Sequence, residues 1–420
     1  MKKLISNAAI IGLPLAALIM SGCGPSVKTY DSNCNEAANG AVVATKVSGD
    51  LGDTNAMAPM WESAQCTSVM LYPQKTIGTN DKTVNDMMAD AKGIKASVKA
   101  LYNDSKVSLM VYWNDNDESF QGITSDKYSD GFAVQFAQNS SDASKLPYIG
   151  MGSDKRPVII YLQKTTKATY EPNGKGDHAM QRADQSVEKF NQSTVDGVQT
   201  DELKKFHESV TALGDKDYQK AFIAEGFRST TEIREAKDSF SASMTHAGEK
   251  YMAVLTRDIK DSYLDLSSGE FPVALAVWDG KKANRDGQKW LSGWVAVELG
   301  KKDGKLVQSI TEVPQGDVVA GKALAVENCA ACHVFDDQTS AMANMAPNLS
   351  EIGGQATAAY IRESMVAPSA VVVPGYNRNA HPNLAWYELA GGKRVSTMPA
   401  YDWLTPEQQD NIVAYFKTLK

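Results

Sequence analysis

Two cysteines and a histidine near the C-terminus have the spacing that attaches a haem covalently. The stretch Cys329-Ala330-Ala331-Cys332-His333 reads C-x-x-C-H, which is the attachment signal of c-type haem. Each thiol adds to one vinyl group of the haem, and the adjacent histidine reaches the iron from one face. A redox dithiol or half of a zinc site is the alternative, but the chain has no second C-x-x-C pair to complete a zinc site. We therefore predict one covalent haem c with His333 as an axial ligand.

The second axial ligand of this iron should lie downstream of the attachment signal. Met398, in Thr397-Met398-Pro399, is the best candidate, because Pro399 stiffens the loop that carries it. A thioether ligand favours ferrous iron and raises the reduction potential. The rival ligands in this region are Met342, Met345, Met365 and His381.

The residues around the attachment signal predict a small helical domain. Asp317–Val326 reads as a helix that leads into the signal. A terminal helix begins at Thr405-Pro406-Glu407-Gln408, which is a capping-box pattern with proline at the first helical position. With the loop Ala346-Pro347-Asn348-Leu349, the region from Pro314 to Lys420 resembles a class I cytochrome c. We place this domain at 311–420.

The N-terminus has the features of a secretion signal. Lys2 and Lys3 precede an apolar stretch that is too short for a confident membrane span. The stretch Ile19-Met20-Ser21-Gly22-Cys23 resembles a bacterial lipobox, which implies that residues 1–22 are removed and that Cys23 is lipidated. Several acyl chains anchor a protein firmly. We expect a lipid anchor on the periplasmic side of a bacterial membrane, inner or outer, with an ordinary cleaved signal peptide as the alternative.

The size and charge of the chain limit its possible functions. Its 420 residues suffice for two or three domains. The net charge of −7 disfavours binding to nucleic acid. The polar segment 23–60 reads as a tether behind the lipid anchor.

Two cysteines remain once lipid and haem have been assigned. These are Cys34 and Cys66. Outside the cytoplasm their simplest fate is a disulfide that closes the loop between them. Two free thiols are the alternative.

Residues 61–310 have the pattern of a β-sheet domain. Val107, Leu109, Val111 and Trp113 alternate as in a half-buried strand, and other segments of strand type follow. They are Phe132–Phe136, Pro157–Leu162, Tyr251–Leu255, Val273–Val277 and Trp294–Leu299. Strands separated by turn signals predict an antiparallel β-sandwich. The overall prediction is a multidomain chain, with this β-sandwich followed by the small all-α cytochrome c domain.

Two further segments lie within or after this domain. A longer polar insertion runs between Gln163 and Lys250 and contains a helix candidate, Asp201–Leu213. The connector Gly300–Gly316 is short and surrounds a possible strand, Leu306–Thr311. A short connector predicts that the two haems are held near one another and that electron transfer between them is rapid.

Five motifs occur in a fixed order along the β-sheet region. They are Thr67-Ser68-Val69-Met70-Leu71-Tyr72-Pro73-Gln74, Val111-Tyr112-Trp113-Asn114-Asp115, Ser129-Asp130-Gly131-Phe132-Ala133-Val134-Gln135-Phe136, Ala224-Glu225-Gly226-Phe227 and Ala276-Val277-Trp278-Asp279-Gly280. Together they resemble the haem-b γ subunits related to ethylbenzene dehydrogenase and dimethyl sulfide dehydrogenase. The resemblance spans most of residues 66–299.

The resemblance implies a second haem, of type b, inside the β-sandwich. Its axial ligands match Met151 in Tyr148-Ile149-Gly150-Met151-Gly152 and Lys289 in Asp286-Gly287-Gln288-Lys289. A lysine binds iron only as the neutral amine, so burial and the metal must lower its pKa. The alternative is that Lys289 is a surface lysine and Met151 a core residue. Lys281 and Lys282 are the nearest rival lysines.

Two irons with both axial positions filled leave no site for a substrate, which favours electron transfer over catalysis. The resemblance implies a molybdopterin catalytic subunit and an iron–sulfur subunit as partners. The other redox partner would be a soluble or membrane cytochrome or a quinone oxidoreductase.

Two alternatives stay open at this stage. The chain could be a haem enzyme with one open iron, such as a peroxidase or a nitrite-type reductase, with an acid or base from His178, His207 or His246. It could also be a tethered monohaem cytochrome c whose β-sandwich is a docking or ligand-binding module.

Overall fold

The computed structural model describes residues 34–36, 41–52, 54–76, 82–119, 128–138, 142–167, 217–302, 304–339, 346–375 and 385–420. Several predictions fall outside these ranges. They concern the signal peptide, Cys23, Asp201–Leu213, Met342, Met345, His178, His207 and His381. In the described ranges, no helix has the length and apolar character needed to cross a bilayer.

The N-terminal part of the described chain is a layered β-structure. Its strands are β1 Asn35–Glu36, β2 Ala41–Lys46, β3 Cys66–Pro73, β4 Ile94–Tyr102, β5 Lys106–Asn114, β6 Gly131–Ala137, β7 Val158–Lys167, β8 Asp217–Ala224, β9 Thr231–Glu232, β10 Phe240–Ala247, β11 Lys250–Asp258, β12 Glu270–Trp278, β13 Trp290–Leu291 and β14 Val295–Leu299. The hydrogen-bonded order is β10-β11-β5-β4-β2-β14-β12-β6-β7-β8-β9. The path has two halves, which are β10-β11-β5-β4-β2 and β14-β12-β6-β7-β8-β9. Strand β3 pairs with β4 of the first half, with β1, and with β13, a partner of β12 in the second half, and so also links the two halves. Helix α1, Lys82–Asp90, and three short 3₁₀ helices, Pro59–Ser63, Ala143–Lys145 and Arg234–Asp238, lie between strands.

The two halves of this path pack face to face around an aromatic core. Trp113 on β5 stacks on Phe132 of β6 at a centroid distance of 6.0 Å. Tyr161 on β7 contacts Phe240 on β10 at 4.8 Å. Side chains of both halves form one buried cluster. The prediction of a β-sandwich is confirmed.

Strand β5 differs from the half-buried strand that its alternation predicts. Nearly every residue from Val107 to Trp113 is buried, on both faces of the strand. The outer face is covered by the segment around the cysteine pair, because the Tyr112 hydroxyl lies 3.1 Å from Cys34 Sγ and 2.8 Å from Cys66 Sγ. Cys34 and Cys66 are joined by a disulfide with Cα atoms 5.0 Å apart.

The predicted tether 23–60 is wrong for residues 41–46. They form β2, which pairs in parallel with both β4 and β14 and lies in the middle of the sheet path. Val42 and Ala44 are buried in the core. A short apolar run that is buried on both faces has no alternation to distinguish it from a loop. The sandwich is therefore mixed, with parallel pairs at β2 inside an otherwise mainly antiparallel structure.

The connector contains a helix where a short strand was predicted. Helix α2 spans Lys305–Thr311. Its buried side chains are Leu306, Val307 and Ile310, which share one helical face but would lie on both faces of a strand. The helix packs on the outer face of the sandwich, in a cluster with residues of β12 and β14. A helix can bury all three side chains against the outer face of the sheet at once, whereas a strand would bury only some of them. This explains why the segment is a helix.

The C-terminal part is a small helical unit with one hairpin. Its helices are α3 Val318–Cys329, α4 Ile352–Gln355, α5 Ala358–Val366 and α6 Pro406–Phe416, and its strands are β15 Tyr387–Ala390 and β16 Lys393–Ser396. The Asp317 side chain accepts hydrogen bonds from the first N–H groups of α3. Thr405 and Gln408 form the predicted capping box of α6, with both hydrogen bonds present. The sequence prediction of both helices is confirmed.

Helices α3 and α6 cross at very short distance. A Cβ at Gly321 would collide with the carbonyl oxygen of Asn411 and lie 3.0 Å from Tyr415 Cβ. Only glycine allows the two backbones to approach this closely. The crossing holds the end of α3, and with it the attachment signal, against the C-terminal helix.

Candidate haem sites

The attachment signal forms a tight turn at the end of α3. The N–H groups of Cys332 and His333 both donate to the carbonyl of Cys329, at 3.1 and 2.9 Å. Cys329 is buried and Cys332 is half-buried, and neither is in a disulfide. Burial, with a smaller contribution from Cys332, raises the pKa of the Cys329 thiol to about 12. Burial therefore keeps Cys329 as a thiol, and the sulfur atoms of both cysteines lie on one turn, as covalent attachment to two vinyl groups requires.

The ring of His333 is oriented for iron ligation. Its Nδ1 lies 2.8 Å from the carbonyl oxygen of Pro347, so Nδ1 carries the proton and donates it to that oxygen. Nε2 is left with the lone pair that binds a metal. Burial lowers the pKa of His333, which favours the neutral imidazole that ligation needs. Pro347 belongs to the loop after the attachment signal that resembles a cytochrome c.

The loop of Met398 lies beside the attachment signal. Met398 packs against the same apolar cluster as Cys329. Its loop is tied to α3 because the Tyr401 hydroxyl donates to the carbonyl of Asn328 at 2.6 Å. The rival Met365 is buried inside α5, within the core of the domain.

Met151 has an unusual backbone conformation in a loop above the sandwich. Its φ is +83°, a region that costs a non-glycine residue on the order of 1–3 kcal/mol. Two hydrogen bonds hold it: its N–H donates to Gln135 Oε1 at 3.2 Å, and its carbonyl accepts from Gly226 N–H at 2.8 Å. Strain that is held in place by specific partners is typical of functional positions.

Lys289 is buried, unlike the surface lysine of the alternative interpretation. Only 5% of the residue is exposed, and its Nζ donates to the carbonyl of Asp286 at 3.3 Å and lies 5.4 Å from the Trp278 ring centroid. Burial lowers the pKa of Lys289 to about 8. The rival lysines Lys281 and Lys282 are exposed and pair with Asp117 and Asp279. Lys289 is therefore the lysine of this segment that can most readily supply a neutral amine.

Gln74 connects the surroundings of these two residues, and sequence reasoning missed it. Its N–H donates to the carbonyl of Lys289 at 2.9 Å. Its amide nitrogen lies 2.7 Å from the position that a Cβ on Gly150 would take, next to Met151. Its Oε1 is buried and has no hydrogen-bond partner among the described residues. Gln74 ends the first of the five motifs, which is the signal that could have singled it out.

The donor sets of both sites fit the haems that the sequence predicts. In the C-terminal domain, two thiols and an oriented imidazole share one turn. In the sandwich, the backbone of Gln74 bonds to Lys289, which has a buried amine of lowered pKa, and the Gln74 side chain lies against Gly150, next to Met151. The buried Oε1 of Gln74 has no hydrogen-bond partner among the described residues. The structure places these residues in two separate domains that pack against each other.

Three aspartates from three of the motifs converge elsewhere in the sandwich. Oxygen atoms of Asp115, Asp130 and Asp279 lie within 4.8 Å of one another. Asp130 accepts from the Tyr251 hydroxyl at 2.6 Å and from Gly280 N–H at 2.7 Å. These bonds join β6, β11 and the end of β12, so the motif aspartates have a structural role that the sequence did not indicate.

One histidine of the haem-enzyme alternative can be located. His246 Nε2 lies 2.9 Å from the backbone oxygen of Asp115, and its ring packs on Tyr251. It lies in the aspartate cluster and contacts none of the candidate ligands. His178 and His207 lie outside the described residues.

The fold and the two family models that match this chain support a haem-containing electron-transfer subunit built from two domains. Two family models match the chain: "Ethylbenzene dehydrogenase" over residues 58–290 and "Cytochrome c" over 318–420. The first match covers more than half of the chain, so the protein belongs to the ethylbenzene dehydrogenase family, with a C-terminal cytochrome c domain.

Comparisons with individual proteins add little. A search of the curated proteins finds no match. Among solved structures, a family 9 carbohydrate binding module from Caldicellulosiruptor kristjanssonii aligns in its complexes with cellotriose and with glucose. The alignments have 7% and 6% identity, cover 65% and 63% of this chain and 98% of each module, and give TM-scores of 0.30 and 0.27. Similarity at this level supports no conclusion about fold or ligand.

Proposed function

We propose that this chain is a dihaem electron-transfer subunit that carries one b haem and one c haem. The observation that supports it most strongly is the match of two family models, ethylbenzene dehydrogenase and cytochrome c, to two directly packed domains. Met151 with Lys289, and His333 with Met398, would be the iron ligands of the two haems. Cys329 and Cys332 would hold the c haem covalently. Each haem would supply a one-electron couple, and the protein would set its ligands and its burial.

Membership of the ethylbenzene dehydrogenase family supports a place beside a molybdenum enzyme. We propose that a molybdopterin catalytic subunit and an iron–sulfur subunit exchange electrons with the sandwich haem. The c haem would exchange with a soluble or membrane cytochrome or a quinone oxidoreductase. Such a relay needs no substrate site, and an iron held by two protein side chains would suit this role.

The N-terminal sequence supports a periplasmic location with a lipid anchor at Cys23. A Cys23→Ala variant expressed in a Gram-negative host should lose metabolic labelling by radioactive palmitate and move from the membrane to the soluble fraction. If the wild-type chain takes up no palmitate, the lipid anchor is wrong.

A pyridine haemochrome spectrum before and after acid–acetone extraction tests the proposed cofactors. Extraction removes a b haem and leaves a covalent c haem. We expect one extractable haem and one retained haem per chain in protein produced with ample haem. A c haem alone would make the sandwich a docking or ligand-binding module and the chain a monohaem cytochrome.

Substitutions then assign the ligands. Lys289→Leu and Met151→Ala should each remove the extractable haem and leave the retained haem, because neither leucine nor alanine can bind iron. Lys281→Leu is the matched control, since that exposed lysine lies eight positions away and pairs with Asp117. An extractable haem that survives both ligand substitutions would contradict the assignment. A rapid reaction of either iron with carbon monoxide would favour the haem-enzyme alternative.

A further inference from the structure

The surface of the sandwich around Met151 is covered by the cytochrome c domain. Met151 packs against an apolar cluster on the outer face of the sheet that contains Tyr148 and Phe227. The same cluster contains Val373, Tyr360 and Trp386 of the C-terminal domain. The strained Met151 loop is therefore at the contact between the domains and not at a free surface.

Two aromatic residues join the loops that carry the two candidate methionine ligands. On the sandwich side, Gly226 N–H donates to the carbonyl of Met151, and Phe227 follows directly. The Phe227 ring meets the Trp386 ring edge-on at a centroid distance of 5.9 Å. On the cytochrome side, the carbonyl of Trp386 accepts from the N–H of Thr397 at 3.1 Å, one residue before Met398.

At this contact, the backbone around Gly226 in the sandwich and the backbone around Gly375 in the cytochrome c domain lie very close together. Neither glycine could carry a side chain without a collision. Phe227 N–H donates to the carbonyl of Pro374 at 3.1 Å. Gly226 has a φ of +118°, and a Cβ there would lie 2.6 Å from Pro374 Cδ. A Cβ on Gly375 would lie 2.5 Å from the carbonyl oxygen of Phe227. The two segments are thus complementary in shape at the level of the main chain.

Charged pairs hold the same contact. Arg156 forms a two-pronged ion pair with Glu363 of α5, at 2.9 and 2.7 Å, and both side chains are mostly buried. Asp154 pairs with Arg394 at 2.8 Å, and its N–H donates to the carbonyl of Val372. Two-pronged arginine–carboxylate pairs fix orientation as well as distance. The loop between Met151 and β7 is therefore clamped to the cytochrome c domain in one orientation.

We propose that the Phe227–Trp386 contact is the bridge for electron transfer between the two haem sites, and that the Arg156–Glu363 pair keeps it closed. The proposal rests on the proposed function. The step moves one electron, so that one site is oxidised as the other is reduced, and no bond or proton changes. The domains act as one fixed unit, and electron transfer needs no docking event.

Pulse radiolysis of the full chain loaded with both haems tests this proposal. A single electron is delivered, and its redistribution between the c-type and b-type absorption bands gives the interhaem rate. Glu363→Arg should slow this rate by roughly tenfold or more, because two arginines then repel at the contact. The exchanged pair Arg156→Glu, Glu363→Arg should restore most of the rate. Trp386→Leu should slow it to a similar degree, with the ion pair intact.

Trp403→Leu is the matched control for the bridge. Trp403 lies five positions after Met398 in the same domain, but it is 66% exposed. Its substitution should leave the interhaem rate unchanged. Haem content and the midpoint potentials of each variant show whether the driving force is preserved.

The outcomes separate the bridge from the relay itself. Wild-type rates in both Glu363→Arg and Trp386→Leu, with both haems bound, would overturn the bridge and leave the relay in place. A wild-type protein with both haems but no interhaem transfer would overturn the relay and the bridge together. Loss of rate in Trp386→Leu at unchanged potentials, with a normal Trp403→Leu, would establish the bridge.

Discussion

At the scale of single residues, the informative features are those that cost stability. Met151 holds a backbone conformation that glycine adopts more readily, and Lys289 buries an amine with a lowered pKa. Neither arrangement helps the sandwich to fold. A metal that bound both the thioether and the amine would recover both costs, which supports our proposal that these two residues hold the b haem.

Substitution of Met151 should separate the strain from the ligand. Met151→Gly and Met151→Ala both remove the thioether, so both should lose the extractable haem. Without haem, the glycine variant should have a free energy of unfolding about 1 kcal/mol higher than the alanine variant, because glycine relieves the positive φ. Urea unfolding of the haem-free proteins measures the difference. Met70→Ala, at an exposed methionine on β3, should keep the haem.

The aspartate cluster predicts a pH dependence of stability. Burial, with a smaller contribution from Asp279, raises the pKa of Asp115 to about 6. Between about pH 4 and pH 6, the Asp115 carboxyl is therefore protonated in the folded state but ionised in the unfolded state. The free energy of unfolding falls as pH rises through this range, because the folded state binds more protons than the unfolded state.

Asp115→Asn should reduce this fall, and the part that remains would come from Asp130, whose pKa is also raised by burial. At pH 7 we expect the variant to be more stable by about 1 kcal/mol, since solvent screening at this half-buried site reduces the full effect of the pKa shift. Urea unfolding between pH 4 and pH 7 gives both profiles. Asp86→Asn, at an exposed aspartate of α1, should leave the wild-type slope unchanged. Parallel profiles for wild type and Asp115→Asn would show that the proton is held elsewhere.

At the scale of elements, the attachment signal depends on the crossing of α3 and α6. Gly321 lets α3 lie directly on the backbone of Asn411, and the capping box at Thr405 fixes where α6 begins. The turn from Cys329 to His333 follows from the end of α3. The position of the haem ligands in this domain therefore depends on helix packing several turns away.

Gly321→Ala should disrupt this crossing. The added methyl group cannot be accommodated without separating the helices, and overpacking of this kind costs about 1–3 kcal/mol. We expect a lower unfolding temperature and a weaker Met398–iron charge-transfer band. Val319→Ala, at an exposed position of the same helix, should change neither. An unaltered unfolding temperature in Gly321→Ala would mean that the two helices lie farther apart.

At the scale of the whole molecule, the contact between the two domains contains buried charged pairs. Lys75, at the end of β3, pairs with Glu351 beside α4 at 2.8 Å, with side-chain exposures of only 12% and 10%. The side chain of Gln355 donates to the carbonyl of Pro73 next to this pair. A buried pair is costly to break, since the remaining charge loses its partner and stays out of water.

Glu351→Gln should weaken the association of the domains. Loss of one partner of a buried pair costs about 3–5 kcal/mol. We expect calorimetry to resolve two unfolding transitions in place of one, as the cytochrome c domain separates before it unfolds. Asp104→Asn removes the partner of an exposed pair with Lys46 and should keep a single transition. A single unshifted transition in Glu351→Gln would show that apolar contacts alone hold the domains together.

The sequence by itself determined the features that depend on neighbouring residues. The C-x-x-C-H turn, the Asp317 cap of α3 and the capping box at Thr405 all follow from contacts within a few positions. The alternation of β5 identified a strand. The order of five motifs identified the family, and with it the expected pair Met151 and Lys289.

Only the tertiary structure decided which of these residues are buried and what they face. The central strand β2 and helix α2 were not predicted, because their structure depends on the segments that pack against them and not on the hydrophobic pattern of their own residues. The pairs Arg156–Glu363 and Lys75–Glu351 join residues 207 and 276 positions apart. Burial of Lys289 and the strain at Met151 come from packing of distant segments, which no local pattern records. The contact between the two domains is therefore a property of the fold, whereas the candidate ligands within each domain could be named from the sequence.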